Sequence, residues 1–221
     1  ASVSVNTNLA ATTISGGVLR APFVAGTGAI AGLQRANYPN DIVILAAGAP
    51  LVEQRTTGSP YNSLYMPRFL TSIRNGFPVN APVWALEFMF DGQVFEVVKA
   101  DRISQSIRIA VDGIYNTEAL ENRGVDATRF AFWKYDLGSR ATRRIRVEMT
   151  GGCGGIYTAP GDSIWAPQDV DPVRVLALGA SSFEGIAQSA PTESLALLLA
   201  RRMGWRDVWN ASCGGTGIIN E

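Results

Sequence analysis

The chain contains no histidine. Imidazole is the side chain best placed to act as a general base near neutral pH. Any hydrolytic reading of these residues must therefore find its base elsewhere. Cysteine is almost as scarce, with only Cys153 and Cys213. Two are too few for a disulfide framework, and their spacing fits no zinc pattern, so reduced thiols and no metal site are expected. Neither sign of charge prevails: 19 Lys and Arg balance 19 Asp and Glu. That balance lacks the electrostatic footprint of a nucleic-acid partner or an anionic membrane surface. No apolar run approaches the roughly 18 residues needed to cross a bilayer, so no membrane span is expected. The start, ASVSVNTNLAATT, has neither a basic segment nor a continuous apolar core. It does not read as a signal peptide. Either a leader has been removed or the protein leaves the cell by another route, and an extracellular or virion-surface location is the expectation. G-x-G-x-x-G and Gly-Lys-Ser/Thr loops are absent, and no cofactor is expected.

What is present is globular. Of 221 residues, 47% are hydrophobic and 17% charged, which suffices to build a core. The length fits one large domain or two small ones. Residues 1–80 read as an extended lead-in and anchor. Residues 1–36 carry apolar groups without sustained period, a buried-strand candidate spans Ile42 to Leu45, and 53–80 are polar and turn-rich.

Residues 81–150 alternate in strand fashion. Trp84, Leu86, Phe88 and Phe90 share one face, and Val94 to Val98 return after the hairpin signal Asp91-Gly92. Ile107, Ile109 and Val111 precede a second turn at Asp112-Gly113. Phe130 to Tyr135 and Ile145 to Met149 complete an expected antiparallel sandwich or jelly roll. Its aromatics are expected in the core, with sugar stacking by Trp133 or Tyr135 as the alternative. The basic run Arg140, Arg143, Arg144 and Arg146 reads as the wet face of a strand. Residues 151–172 are rich in Gly and Pro and read as a linker.

From 173 the period changes. The apolar run of Val173, Val175, Leu176, Ala177 and Leu178 turns at Gly179. A helix follows from Pro191 to Met203, with Ser189 or Thr192 near its start, an apolar stripe of Leu195, Leu198 and Leu199, and Gly204 just past its end. Asp207 to Asn210 form a second strand. Strand, helix, strand makes a βαβ unit with an expected right-handed crossover.

The turn Gly179-Ala180-Ser181, with Gly185 four residues beyond the serine, resembles the opening block of the SGNH, or GDSL-like, hydrolase family. Ala180 stands where the family has Asp. A second block is similar to Asn210-Ala211-Ser212-Cys213-Gly214-Gly215-Thr216-Gly217. The resemblance implies Ser181 as nucleophile, with the backbone N–H groups of Ser181 and Gly215 stabilising an oxyanion. Gly161-Asp162-Ser163 spells the family letters more literally. It follows Ala-Pro rather than an apolar strand, so Ser163 ranks below Ser181, and Ser182 is the near neighbour.

The family's later blocks, which carry an oxyanion Asn and the Asp-x-x-His base, do not appear. The resemblance covers residues 170–221, the first βαβ of a flavodoxin-like domain that looks truncated here and inactive as it stands. It implies a serine esterase acting on acyl esters, with carbohydrate deacetylation as the favoured case and an ester or glycan as substrate. A plain strand-to-helix connection is the bland alternative for the turn. The rival for the whole chain is a spike or fibre subunit, binding glycan and anchored to a protein shell or homo-oligomer through residues 1–80.

Overall fold

A computed structural model describes residues 3–9, 11–20, 45–47, 51–55, 63–67, 83–100, 105–116, 119–121, 130–150, 152–168, 173–180, 183, 191–210 and 212. Five strands come early: β1 (Ser4–Leu9), β2 (Val18–Arg20), β3 (Leu45–Ala47), β4 (Leu51–Arg55) and β5 (Ser63–Pro67). Then follow β6 (Trp84–Ala100), β7 (Gln105–Val111), β8 (Ile114–Tyr115), β9 (Ala119–Glu121) and β10 (Phe130–Met149). The last are β11 (Cys153–Thr158), β12 (Ser163–Trp165), β13 (Arg174–Ala177), a 3-10 turn at Pro191–Glu193, helix α1 (Leu195–Met203) and β14 (Asp207–Asn210). Among the described residues the first twelve strands form one hydrogen-bonded system, antiparallel throughout, while β13 and β14 pair in parallel.

Two long strands carry the antiparallel part. β6 has 17 residues, β10 has 20, and they pair from end to end except at one irregularity, at Gln93 of β6 and Leu137 to Arg140 of β10. The hairpin expected at Asp91-Gly92 is not formed: both residues lie inside β6. Gly92 does not take the left-handed backbone that a two-residue turn demands. Its lack of a side chain serves packing instead, because a Cβ there would lie 2.2 Å from the Phe90 ring and 2.8 Å from Asp162 Cγ.

The apolar phase of β6 switches here from even to odd positions, from Trp84, Leu86, Phe88 and Phe90 to Phe95 and Val97. Across from it the ladder shifts register between Asp136 and Ala141 of β10. Phe88 and Phe95 rings nevertheless meet at 5.8 Å. Seven residues of straight strand would separate them by about 23 Å, so β6 must bend sharply between them. Phe90 also meets Phe95 at 5.5 Å, and Phe95 stacks on Tyr135 at 5.2 Å. The folded sheet thereby encloses one core. Trp133 and Tyr135 are both buried within it, which rules out sugar stacking by either. Asp112-Gly113 does form the expected turn, with φ of 50° and 82° joining β7 to β8.

Several stretches read as irregular are strands. In the lead-in, β1 pairs with β10 and β2 with β11, while β4, which runs into the turn-rich 53–80 region, pairs with β5 inside it. Of the candidate Ile42 to Leu45, only Leu45 is among the described residues, where it opens β3. The Gly/Pro stretch after 150 contributes β11 and β12, both paired with β6. Gly155 is not a linker glycine. At Gly155, φ is +121° and a Cβ would sit 2.5 Å from the Arg20 carbonyl oxygen, beside the register shift in β11. The glycine thus lets the β2 backbone approach a bulged strand. Gly155→Ala is expected to destabilise the protein by about 3 kcal/mol in denaturant melts, because it adds backbone strain and a main-chain clash together.

Helix α1 also departs from its reading. Ser194 is its N-cap, with Oγ accepting from Leu197 N–H at 3.4 Å, and Gly204 closes it at φ 72°. The buried face is Ala196, Leu197 and Ala200. The expected stripe of Leu195, Leu198 and Leu199 is half-exposed. Small alanines let the helix approach its neighbours closely, which turns the leucines outward. Beneath α1 the basic run is not a wet face. Arg146 donates to Glu87 and Glu148, and Arg201 of the helix donates to Glu148 at 2.6 Å. Arg143 is buried, and only Arg140 keeps the exposed character expected of the run.

Candidate active site

β13 and β14 run side by side with Ala177 opposite Asn210, so the chain leaves both strands at the same end of the pair. That placement follows from parallel pairing, and it brings the segments after Leu178 and after Asn210 to one edge. Gly179 stands at the start of the first segment. A Cβ there would be 2.8 Å from Phe183 Cβ and Cγ, so the turn closes on itself only because residue 179 has no side chain. Phe183 N–H donates to Ala180 O at 3.1 Å, which ties together the two described residues on either side of positions 181 and 182.

The second segment is tied to the first by a side chain. Asn210 is buried, and its Nδ2 donates to Phe183 O at 2.6 Å. Its Oδ1 accepts from Ser212 N–H at 3.2 Å. One amide therefore holds the backbone on both sides: the carbonyl that ends the serine turn and the N–H that begins the glycine-rich stretch. Asn210 opened the second motif in the sequence, but its role as a cross-link was not legible there. A strand-ending Asn directly before Ala-Ser-Cys-Gly-Gly is the signal that could have suggested it.

Ser181, Ser182, Gly185, Cys213 and Gly215 lie outside the described residues. Ala180, Phe183, Asn210 and Ser212, their neighbours along the chain, are brought together. Ser163 is placed elsewhere. It is exposed on β12, opposite Asp91 in the antiparallel sheet. Asp162 beside it is a turn residue: its carboxylate accepts from Ala159 N–H at 3.3 Å and pairs with Arg140 at 3.1 Å. The literal Gly-Asp-Ser spelling thus encodes a sheet connection.

The opposite ends of the two strands are held by charge. Arg174 pairs with Asp207 at 2.8 Å and lies over the Trp209 ring at 4.4 Å, while Trp209 Nε1 donates to Asp207 at 2.9 Å. Among the described residues no group of His, Cys, Asp and Glu could hold a metal ion. The one described cysteine, Cys153, is a free thiol buried in β11, and burial pushes its pKa up to about 11. That thiol is protonated at neutral pH and is not a nucleophile candidate. No helix among the described residues is long and apolar enough to cross a membrane.

No protein-family model and no curated protein matches the chain. Solved structures do resemble its fold. One is the salicylyl-acyltransferase SsfX3 from a tetracycline biosynthetic pathway, with TM-score 0.57 and 15% identity over 79% of this chain and 52% of that one. A family two carbohydrate esterase from Clostridium thermocellum, solved in complex with cellohexaose, gives 0.52 and 13% over 79% and 52%. A family two carbohydrate esterase from Cellvibrio japonicus gives 0.50 and 13% over 100% and 56%. At such identities the likeness is one of fold. The chain spans about half the length of the solved structures it matches.

Proposed function

We propose that this chain carries the nucleophile-bearing part of a serine ester hydrolase of SGNH type, acting on acyl esters of carbohydrate. The observation that carries the reading is the Asn210 bridge to Phe183 O, which fastens the backbone just after β13 to the end of β14, where the chain leaves two parallel strands. In this reading Ser181 Oγ attacks the ester carbonyl carbon while a base takes its proton. The tetrahedral oxyanion accepts from the Ser181 and Gly215 N–H groups. Collapse expels the sugar alcohol, which takes the proton back, and water then releases the acid from the acyl-serine. Imidazole is the base suited to this proton transfer at neutral pH, and these 221 residues contain none. The base accordingly belongs to residues outside them.

The fold supports the reading in its order, with an antiparallel layer first and the parallel pair after it. The fold likeness to carbohydrate esterases and an acyltransferase supports it further. The apolar surface of Val173, Leu176, Leu178, Leu195, Leu198 and Met203 is suited to further α/β layers, since parallel sheets are normally covered on both faces. The spike or fibre alternative has no such support: from its anchoring stretch, β1 and β2 pair with β10 and β11 of this same chain.

The test is acetate release from acetylated xylan and from p-nitrophenyl acetate by the full-length protein. Turnover on both, with preference for the polysaccharide, is the expected result. No hydrolysis of either would overturn the proposal.

A further inference from the structure

Asn210 ends β14, and both polar atoms of its side chain are engaged. Oδ1 accepts from Ser212 N–H at 3.2 Å, two residues along the chain. Nδ2 donates to Phe183 O at 2.6 Å, 27 residues back. The first bond is an Asx turn, which asparagine makes readily to its own backbone. It sets which way the amide faces and so aims Nδ2 across the strand pair. Reversing the amide would put oxygen against carbonyl and nitrogen against N–H, so this orientation alone satisfies both partners.

The amide holds the chain where it leaves each strand. Phe183 is tied at both its backbone groups, by its carbonyl to Asn210 and by its N–H to Ala180 O at 3.1 Å. Ser181 falls between Ala180 and Phe183 in sequence, and Ser212 leads toward Gly215. Asn210 is only 1% exposed, so water competes weakly for either bond. The same two strands are fastened at their starts by the Arg174–Asp207 ion pair at 2.8 Å. Charge thus ties the entry of the pair, and a neutral amide ties its exit.

We propose that Asn210 is a positioning residue. Through Phe183 and Ser212 it sets the spacing between the segment that carries Ser181 and the segment that carries Gly215. The inference rests on the ester-hydrolase reading above and adds to it by assigning this alignment to one side chain. Two N–H groups on separate segments can receive one oxyanion only while the segments keep a fixed distance. Asn210 acts through its neighbours and not on the reacting atoms. Its loss therefore slows the bond-making step and leaves ground-state binding in place. An aspartate at this position would still accept from Ser212 N–H. Its second oxygen would repel Phe183 O when ionised and donate to it when protonated.

The test is hydrolysis of p-nitrophenyl acetate by the full-length wild type, Asn210→Ala, Asn210→Asp and Gly155→Ala, with Tm measured beside each rate. Asn210→Ala should lower kcat about 100-fold, with KM within about threefold of wild type. Asn210→Asp should show a similar loss at about pH 8. Its kcat relative to wild type should recover ~10-fold toward about pH 5, as the introduced carboxyl takes up a proton. Taking the ratio removes the titration of the base. Gly155→Ala is destabilised in the antiparallel layer and should keep the wild-type kcat, which separates alignment from stability. Wild-type kcat in Asn210→Ala, a rise in KM alone, or an equal kcat loss in Gly155→Ala overturns the inference while ester hydrolysis stands. A pH-independent ratio for Asn210→Asp also overturns it. An inactive wild type overturns the ester-hydrolase reading and the inference with it. Should Asn210→Ala fail to fold, the isosteric Asn210→Asp decides through the same ratio.

Discussion

Ser181→Ala in the full-length protein is expected to lower kcat for p-nitrophenyl acetate by at least ~10⁴-fold with KM little changed. The hydroxyl acts only in the bond-making step, so its loss removes transition-state stabilisation and leaves ground-state binding in place. Ser163→Ala should keep wild-type turnover, because Ser163 lies on β12 in the antiparallel sheet, away from the paired parallel strand ends. The 221 residues alone should hydrolyse the same ester at the background rate, since they contain no histidine to take the Ser181 proton. Steady-state rates of the two variants check this. Equal losses in both, or loss in Ser163→Ala alone, would return the assignment to the literal Gly-Asp-Ser spelling.

The second large effect concerns stability. Lys99 is fully buried on β6, with its Nζ donating to Thr150 O and lying 5.9 Å from the Trp133 ring centre. Burial drops its pKa from 10.5 to about 7, against a small opposing contribution from Cys153. Between those values the unfolded chain holds a proton that the native state has released, so stability rises with pH across that window. Below about pH 7 the native state carries the full cost of the buried charge, about 5 kcal/mol. Cys153 acts in the opposite sense. Its unfolded thiol ionises near 9.0 while the buried one stays protonated to about 11, so it removes stability as pH rises through that range. The two slopes oppose each other above pH 9, and stability is expected to climb from about pH 7 to 9 and then level off. Lys99→Met should gain about 3 kcal/mol at pH 6, after allowance for the lost bond to Thr150, and flatten the climb. Denaturant titrations at pH 6, 7.5 and 9 measure this. A pH-independent wild type would contradict it.

Much of the fold was readable where local chemistry and tertiary context agree. Asp112-Gly113 takes the two positive φ values its residues favour. The alternating apolar positions of 84–90 and 145–149 are the core positions observed. Asp91-Gly92 has the same spelling and a different outcome, because Phe90 and Asp162 claim the space beside Gly92 and the strand bends without reversing. Nothing local distinguishes the two pairs. The strands at 4–9, 18–20 and 153–158 do not show a sustained apolar period of their own; each is set by a strand distant in sequence, as Gly155 answers to the Arg20 carbonyl.

At the candidate site the strand, the glycine turn and the second strand could be read from the sequence, since apolar period and Gly position express them. The Asn210 cross-link could not, because it joins residues 27 apart. The leucines of α1 misled for another reason. An apolar stripe marks a face that wants cover, but Ala196 and Ala200 seat the helix on the layer present here, and Leu195, Leu198 and Leu199 are left outside.

The most direct test of Ser181 is to trap the acyl-enzyme. Full-length protein is mixed with p-nitrophenyl acetate, quenched in acid within the first turnover, digested, and its peptides mapped by mass spectrometry. A single acetyl group on Ser181 is the predicted result. Acetylation of Ser163 or Ser182 in its place, or none at all in a protein that turns over ester, would contradict the account.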